Sequence, residues 1–209
     1  MTITRDQYLE GYTWDEWLEV VRARREEWHG RYESARLGPL RADYTDVPAP
    51  RSVLCLVDDA EPDSVGTIPY IARACDEAGD AAGVGFRILR GPDHPELVRQ
   101  FLMHGRTALP ICVVFDQDWI QVGVWGHRPR PAERLCERLA DRLPPEALRA
   151  ELERWYAEDQ GRTTLAEFLD VLRGAPVPPA RSERRMARHL HTQVERAREH
   201  RWGHGLRHG

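Results

Sequence analysis

The chain contains no lysine, and all 30 of its basic residues are arginine. No side chain here can form a Schiff base or supply the ammonium of a phosphate-binding loop. Cysteine is scarce as well. Four occur, at 55, 75, 112 and 136, with no pair spaced as C-x-x-C or as a zinc knuckle. No apolar run approaches the roughly 20 residues of a membrane span. The opening stretch MTITRDQYLEGYT lacks a basic-then-apolar leader. The expectation is a cytoplasmic protein with reduced, packed thiols.

What is present suits a folded core with solvated helices. The 209 residues are 41 % hydrophobic and 31 % charged, enough for one domain with appendages or two small ones. The net charge of -4 is uneven, because residues 181–209 are rich in Arg and His. The rest of the chain is therefore more acidic than the total implies.

Thr13-Trp-Asp-Glu16 is a capping box. Trp14, Trp17, Leu18, Val21 and Trp28 follow at helical spacing, which predicts a helix to about Ala35. Leu37-Gly-Pro-Leu40 breaks it, and a loop runs to Pro50. Val53 to Val57 reads as a buried strand. A helix capped by Asp63 or Ser64 follows, to about Ala78. Val84 to Leu89 is a second strand, and Asp93 caps a helix from His94 to His104. Ile111 to Phe115 is a third strand. Asp116-Gln-Asp118 turns into a fourth, Trp119 to Trp125. Arg130 to Leu143 is an amphipathic helix.

The order β-α-β-α-β-β-α predicts an α/β fold with a four-stranded mixed sheet: a parallel portion and a final antiparallel hairpin. Two further helices are expected, one from Pro145 to about Glu158, and one capped by Thr163 or Thr164 and ending at Leu172. Ala175-Pro-Val-Pro-Pro179 reads as a stiff linker. Ser182 to about Arg201 reads as a basic helix with Met186, Leu190, Val194 and Ala197 as its apolar stripe. The expected divisions are 1–50 (N-terminal helix and loop), 51–143 (core), 144–173 (helical extension) and 174–209 (linker and tail).

A Pro just before the third strand completes a pattern that resembles thioredoxin. Further pieces are similar to a branch of thioredoxin-like bacterial proteins: Phe86-Arg-Ile-Leu-Arg90, Pro95-Glu-Leu97, Ala108-Leu-Pro110 and Gly123-Val-Trp-Gly-His-Arg-Pro129. The resemblance covers roughly Thr13 to Leu143. It implies a cis Leu109–Pro110 bond facing the start of the helix after the first strand. It also implies that Leu109 can bind an extended peptide through its backbone, as an added strand does. Trp125 and Arg128, beyond the end of the hairpin, would line a shallow groove with Pro110. The competing reading of Trp125 is a core aromatic.

At the redox motif the chain departs from that branch. Aligned on Asp63, the family's E-D-W-C-G-D becomes Asp58-Asp-Ala-Glu-Pro-Asp63. Glu61 takes the first Cys position and Ser64 the second. Thiol–disulfide exchange needs a thiolate, which a helix start favours by lowering the thiol pKa. Glu61 is expected there as a stable carboxylate that cannot form a mixed disulfide, and Ser64 cannot resolve one. No residue is assigned a catalytic role. The family positions and groove are Glu61, Asp63, Ser64, Leu109, Pro110, Trp125 and Arg128.

The expected function is a redox-inactive binding or interaction module with a protein or peptide partner. The alternative is an atypical thiol–disulfide oxidoreductase or monothiol enzyme using Cys112, Cys55 or Cys75. Cys55 and Cys112 are expected to approach each other across neighbouring strands, either as packed core thiols or as a cryptic pair. Asp58, Asp59, Glu61 and Asp63 lack the D-x-D-x-D-G spacing of a Ca²⁺ loop and read as helix-start acids. In the tail, His189, His191, His200, His204 and His208 find no Cys or acid to complete a metal set. Glu183, Glu195 and Glu199 dilute its charge against a role in nucleic-acid binding. No metal, cofactor or membrane is expected, and association of copies through the C-terminal helices is left open.

Overall fold

A computed structural model describes residues 3–48, 50–101 and 108–174. The expected linker and basic tail helix, and the end of the expected helix at 102–104, lie outside the described residues.

Four strands build one sheet: β1 (Arg51–Val57), β2 (Val84–Arg90), β3 (Ile111–Phe115) and β4 (Gln121–Gly126), in the order β2-β1-β3-β4. β1 pairs parallel with β2 and antiparallel with β3, and β3 pairs antiparallel with β4. β1 and β3 are central and read as continuous apolar runs, because both of their faces are covered. The fourth strand starts two residues later than its apolar pattern suggests. Trp119 and Ile120 belong to the turn, where Asp116 Oδ1 accepts the N–H groups of Asp118 and Ile120 at 3.0 and 2.9 Å.

In chain order the helices are α1 (Arg5–Leu9), α2 (Trp14–Val20), α3 (Arg25–Ser34), α4 (Arg41–Thr45), α5 (Pro62–Ala82), α6 (Pro95–Val98), α7 (Arg130–Leu139), α8 (Pro145–Asp159) and α9 (Arg162–Leu172). The single N-terminal helix expected from Trp14 to Ala35 is two helices, separated by extended Val21 and left-handed Arg24 (φ 57°). The break has a tertiary reason. It frees the N–H groups of Arg22 and Ala23 to donate to Asp59 at 2.9 and 3.2 Å. The Thr13 capping box at the start of α2 is formed in both directions.

α5 occupies the centre of one face of the sheet. It packs against α3 and α4 on one flank and α8 and α9 on another, so it is buried around most of its circumference. Trp14, Trp17, Trp28 and Tyr32 join α2 and α3 to the same core. Trp17 and Trp28 meet edge to face at 5.4 Å, and Trp14 stacks on Tyr32 at 4.5 Å. From the other end of the chain, Leu165, Phe168, Leu169, Val171 and Leu172 of α9 enter the same core. The opposite face of the sheet carries a smaller cluster that includes Leu54, Leu56, Val113 and Phe115.

Several expected caps are not used. α5 starts at Pro62 with Glu61 at the N-cap, so Asp63 and Ser64 lie inside its first turn, and no side chain caps it. His94, not Asp93, precedes α6, and the Asp93 carboxylate instead takes Arg90 at 3.3 Å. Gly161 precedes α9; Thr163 is held there by Asp159, which accepts its N–H at 3.0 Å. Asp63 is taken by the distant Arg128, while Asp93 and Thr163 find other partners three and four residues away. α7 also ends at Leu139, short of the expected Leu143.

Candidate functional site

The C-terminal end of β1 runs into a tight loop and then into α5. Asp58 Oδ1 accepts the N–H of Ala60 at 3.0 Å, and the Asp58 N–H donates to Ser64 Oγ at 3.2 Å. Ser64 is fully buried, so its hydroxyl braces the loop from within the helix. Glu61 is about half exposed, with Arg149 of α8 at 3.9 Å. Its carboxyl pKa is raised rather than lowered. Partial burial pushes its pKa up, and the neighbouring charges of Asp63 and Asp58 add to that, against Arg149 and Arg128.

The acids of this loop diverge rather than converge. Asp59, 2 % exposed, points toward the N-terminal layer and the end of β2. It accepts the backbone N–H groups of Arg22 and Ala23 and both Nε and Nη2 of Arg90, at 3.3 and 3.1 Å. Burial pushes its pKa up. The Arg22 amide and the Arg90 guanidinium outweigh that, with Ala23 adding a little, and hold the carboxyl below its usual range. Trp28 Nε1 donates to the Asp59 carbonyl at 3.2 Å, closing the same joint.

Asp63 turns the other way, toward the loop after β4. Arg128 Nε donates to both of its carboxylate oxygens at 3.1 Å, and Nη2 reaches Oδ2. The Tyr156 hydroxyl, from α8, donates to Asp63 Oδ1. Burial opposes the charge on Arg128, but Asp63 wins and holds the guanidinium above its usual range. Burial, with the Asp63 charge beside it, pushes the Tyr156 phenol far up. Arg128 Nη1 continues to Glu133 Oε2 at 3.2 Å and Cys136 Sγ at 3.1 Å, and His127 Nε2 lies 3.2 Å from Glu133.

Two glycines make this arrangement fit. A Cβ at Gly66, one turn into α5, would sit 2.6 Å from the Tyr156 ring. That close approach lets α8 lie against the first turns of α5. Gly126 has φ 142°, and a Cβ there would meet the Pro110 carbonyl oxygen at 2.3 Å, so β4 can leave the sheet against Pro110 only without a side chain at that point.

The structure therefore brings Asp63 and Arg128 into direct contact, with Ser64 beneath and Glu61 at the rim. The Leu109–Pro110 peptide bond is cis. Pro110 is buried against Gly126, and Leu109 packs toward Gly91 at the end of β2. Trp125 is not in a groove. It lies within β4, 4 % exposed, in the main core. Five partners are absent from the sequence reading: Asp59's partner Arg90, and Tyr156, Glu133, His127 and Cys136 around Arg128. The terminal Arg of Phe86-Arg-Ile-Leu-Arg90 is the one local signal among them, since a charge at the end of a buried strand needs a counter-charge nearby.

Three of the four thiols sit apart from this turn, and Cys136 lies against Arg128. Cys55, Cys75 and Cys112 are fully buried and Cys136 is nearly so. Burial pushes the Cys55 and Cys75 thiols far up, with the neighbouring Cys112 adding to both. It raises Cys136 too, against the opposing charge of Arg128. Cys55 is the direct cross-strand partner of Cys112, and their sulfurs are 2.8 Å apart.

A β2-β1-β3-β4 sheet, with α5 leaving β1 and a proline opening β3, defines a thioredoxin-like α/β domain. The family model described as thioredoxin matches residues 11–141, and the chain belongs to that family. No curated protein matches it in sequence. It is similar in fold to the crystal structure of a protein of unknown function from Pseudomonas aeruginosa, with 15 % identity and a TM-score of 0.63; the match covers 82 % of this chain and 98 % of that one. It is also similar to the crystal structure of an HIV epitope-scaffold, with 14 % identity and a TM-score of 0.59, covering 82 % of this chain and 99 % of that one. These likenesses speak to the fold. No described helix is long and apolar enough to cross a membrane.

Proposed function

We propose that this protein is a redox-inactive member of the thioredoxin family that binds a protein or peptide partner beside the first turn of α5. One observation carries the reading. The two positions that resemble the family's dithiol hold Glu61 and Ser64, and Ser64 is buried and bonded to the Asp58 amide. Neither side chain can form or resolve a mixed disulfide. The polar groups below them are committed to one another through Asp63, Arg128 and Tyr156. What is left for a partner is the rim: the half-exposed Glu61 and the half-buried Leu109 before Pro110, where the family resemblance implies backbone pairing with an added extended strand. A cytoplasmic setting fits thiols that are buried and reduced.

The test is insulin reduction by dithiothreitol, run beside alkylation of the native protein. The expected result is no acceleration over dithiothreitol alone and slow labelling of every cysteine. Turnover of insulin, or rapid labelling of one thiol at neutral pH, would overturn the reading. The competing one, a thiol enzyme using Cys112, Cys55 or Cys75, draws on the contact between Cys55 and Cys112. Burial of all three weighs against it, because the thiolate is the reactive form.

A further inference from the structure

Cys55 and Cys112 are paired residues on adjacent antiparallel strands. Directly opposed residues in such a ladder have Cα atoms about 4.5 or 5.5 Å apart. Both spacings fall inside the range of about 4.4–6.8 Å that a disulfide spans. The side chains already point at each other, with sulfurs 2.8 Å apart. One row crosses the whole sheet here: Ile88, Cys55, Cys112 and Trp125, one from each strand. The two thiols thus meet between an aliphatic and an aromatic neighbour, in the core under α5. Cys75 belongs to the same core but is carried by α5, and Cys136 lies against Arg128.

We propose that Cys55 and Cys112 are an oxidisable pair that closes into a disulfide between β1 and β3, a modification site separate from the first turn of α5. The oxidant is a peroxide small enough to enter a transiently opened sheet, with hydrogen peroxide as the simplest case. One sulfur attacks a peroxide oxygen, the O–O bond breaks, and a sulfenic acid and one water form. The second sulfur attacks the sulfenic sulfur, the S–S bond forms, the S–O bond breaks and a second water leaves. The two thiol hydrogens end in water, and the two electrons given up by the sulfurs reduce the peroxide.

Burial makes the first step slow, since it waits on opening of the strands and on ionisation of a suppressed thiol. The second step is favoured by position, because the resolving thiol is held in contact when the sheet closes. The bond would tie together the two strands whose ends carry the Asp58 loop and the Leu109–Pro110 segment.

The experiment treats the native full-length protein with hydrogen peroxide, then alkylates it under denaturing conditions and maps unreduced peptides by mass spectrometry. The expected result is a Cys55–Cys112 linked peptide, with alkylatable thiols falling from the four free cysteines to two per chain and recovering fully with dithiothreitol. Cys112→Ala should abolish the linked peptide. If Cys55 and Cys112 stay alkylatable, pair with Cys75 or Cys136 instead, or go on to sulfinic acid, the proposal is overturned. The wild-type map decides this alone, so poor folding of the variant does not leave it open. It is also independent of insulin turnover: the pair can close in a protein that reduces no insulin.

Discussion

At the middle of the sheet, Cys55 and Cys112 meet among apolar neighbours with no charge to balance. A few residues further along, where β1 gives way to α5, Asp59 and Asp63 are almost as deeply buried, and each is gripped by an arginine. The difference follows from what each group does on losing water. A thiol stays neutral and packs as a small hydrophobe. A carboxylate either finds a cation and donors or gives up its charge. The first turn of α5 has kept its charges by recruiting partners from distant segments. Polar groups at this turn are thereby tied into structure, while the two thiols of the sheet face only each other and apolar neighbours.

The largest expected effect comes from breaking one side of the charged region. Arg128→Ala leaves Asp63 and Tyr156 buried without their cation and should cost about 3–5 kcal/mol, read as a fall in the urea midpoint. A loss below about 1 kcal/mol, the size of an exposed ion pair, would mean that the guanidinium is not structural. Replacing both Asp63 and Arg128 with leucine should cost less than Arg128→Ala alone, because the buried carboxylate goes with its cation and Glu133 keeps His127, leaving the Tyr156 hydroxyl as the group that loses its acceptor.

A smaller effect tests how closely α8 approaches. Gly66→Ala puts a methyl where the Tyr156 ring lies and should cost about 1–3 kcal/mol as overpacking. The Tyr156 ring signals should shift in the same spectra that leave the Cys55 and Cys112 region unmoved.

The smallest effect separates the two acids by sign. The Glu61 carboxyl is raised, so the folded chain holds that proton better than the unfolded one. Its ionised form therefore opposes folding above the folded pKa, and the penalty vanishes below the ordinary value of 4.5. Glu61→Gln should raise the melting temperature at neutral pH and leave it unchanged in acid. Asp59 is lowered, so its stabilisation is present above the ordinary value of 3.8 and is lost as pH falls through the folded pKa. Asp59→Asn should flatten the acid limb of the stability profile, the opposite signature.

Much of the fold was legible because its signals are local. The apolar runs at Val53 to Val57 and Ile111 to Phe115 are short, bounded and continuous, as buried strands are. Thr13 and Glu16 form the cap their spacing predicts, because both partners sit within one turn. The break between α2 and α3 was not legible. It depends on Asp59 accepting amides from residues 22 and 23, more than thirty positions earlier. The same limit hid the site. The pattern placed Glu61, Asp63 and Ser64 together and assigned Arg128 to the same neighbourhood, but nothing local says that Asp63 faces Arg128 or that Asp59 faces Arg90. Trp125 was equally ambiguous, since an aromatic near the end of a hairpin reads alike in a core and in a groove.

By itself the sequence determined the order of strands and helices and the absence of a dithiol where α5 begins, since periodicity and residue identity need no third dimension. Tertiary structure decided which acids are paired, which thiols touch and what covers the first turn of α5. Asp63 meets Arg128 across 65 residues of chain and Tyr156 across 93, and Cys55 meets Cys112 across 57. Contacts at such separations exist only once the sheet has set its register and α8 has closed over Gly66.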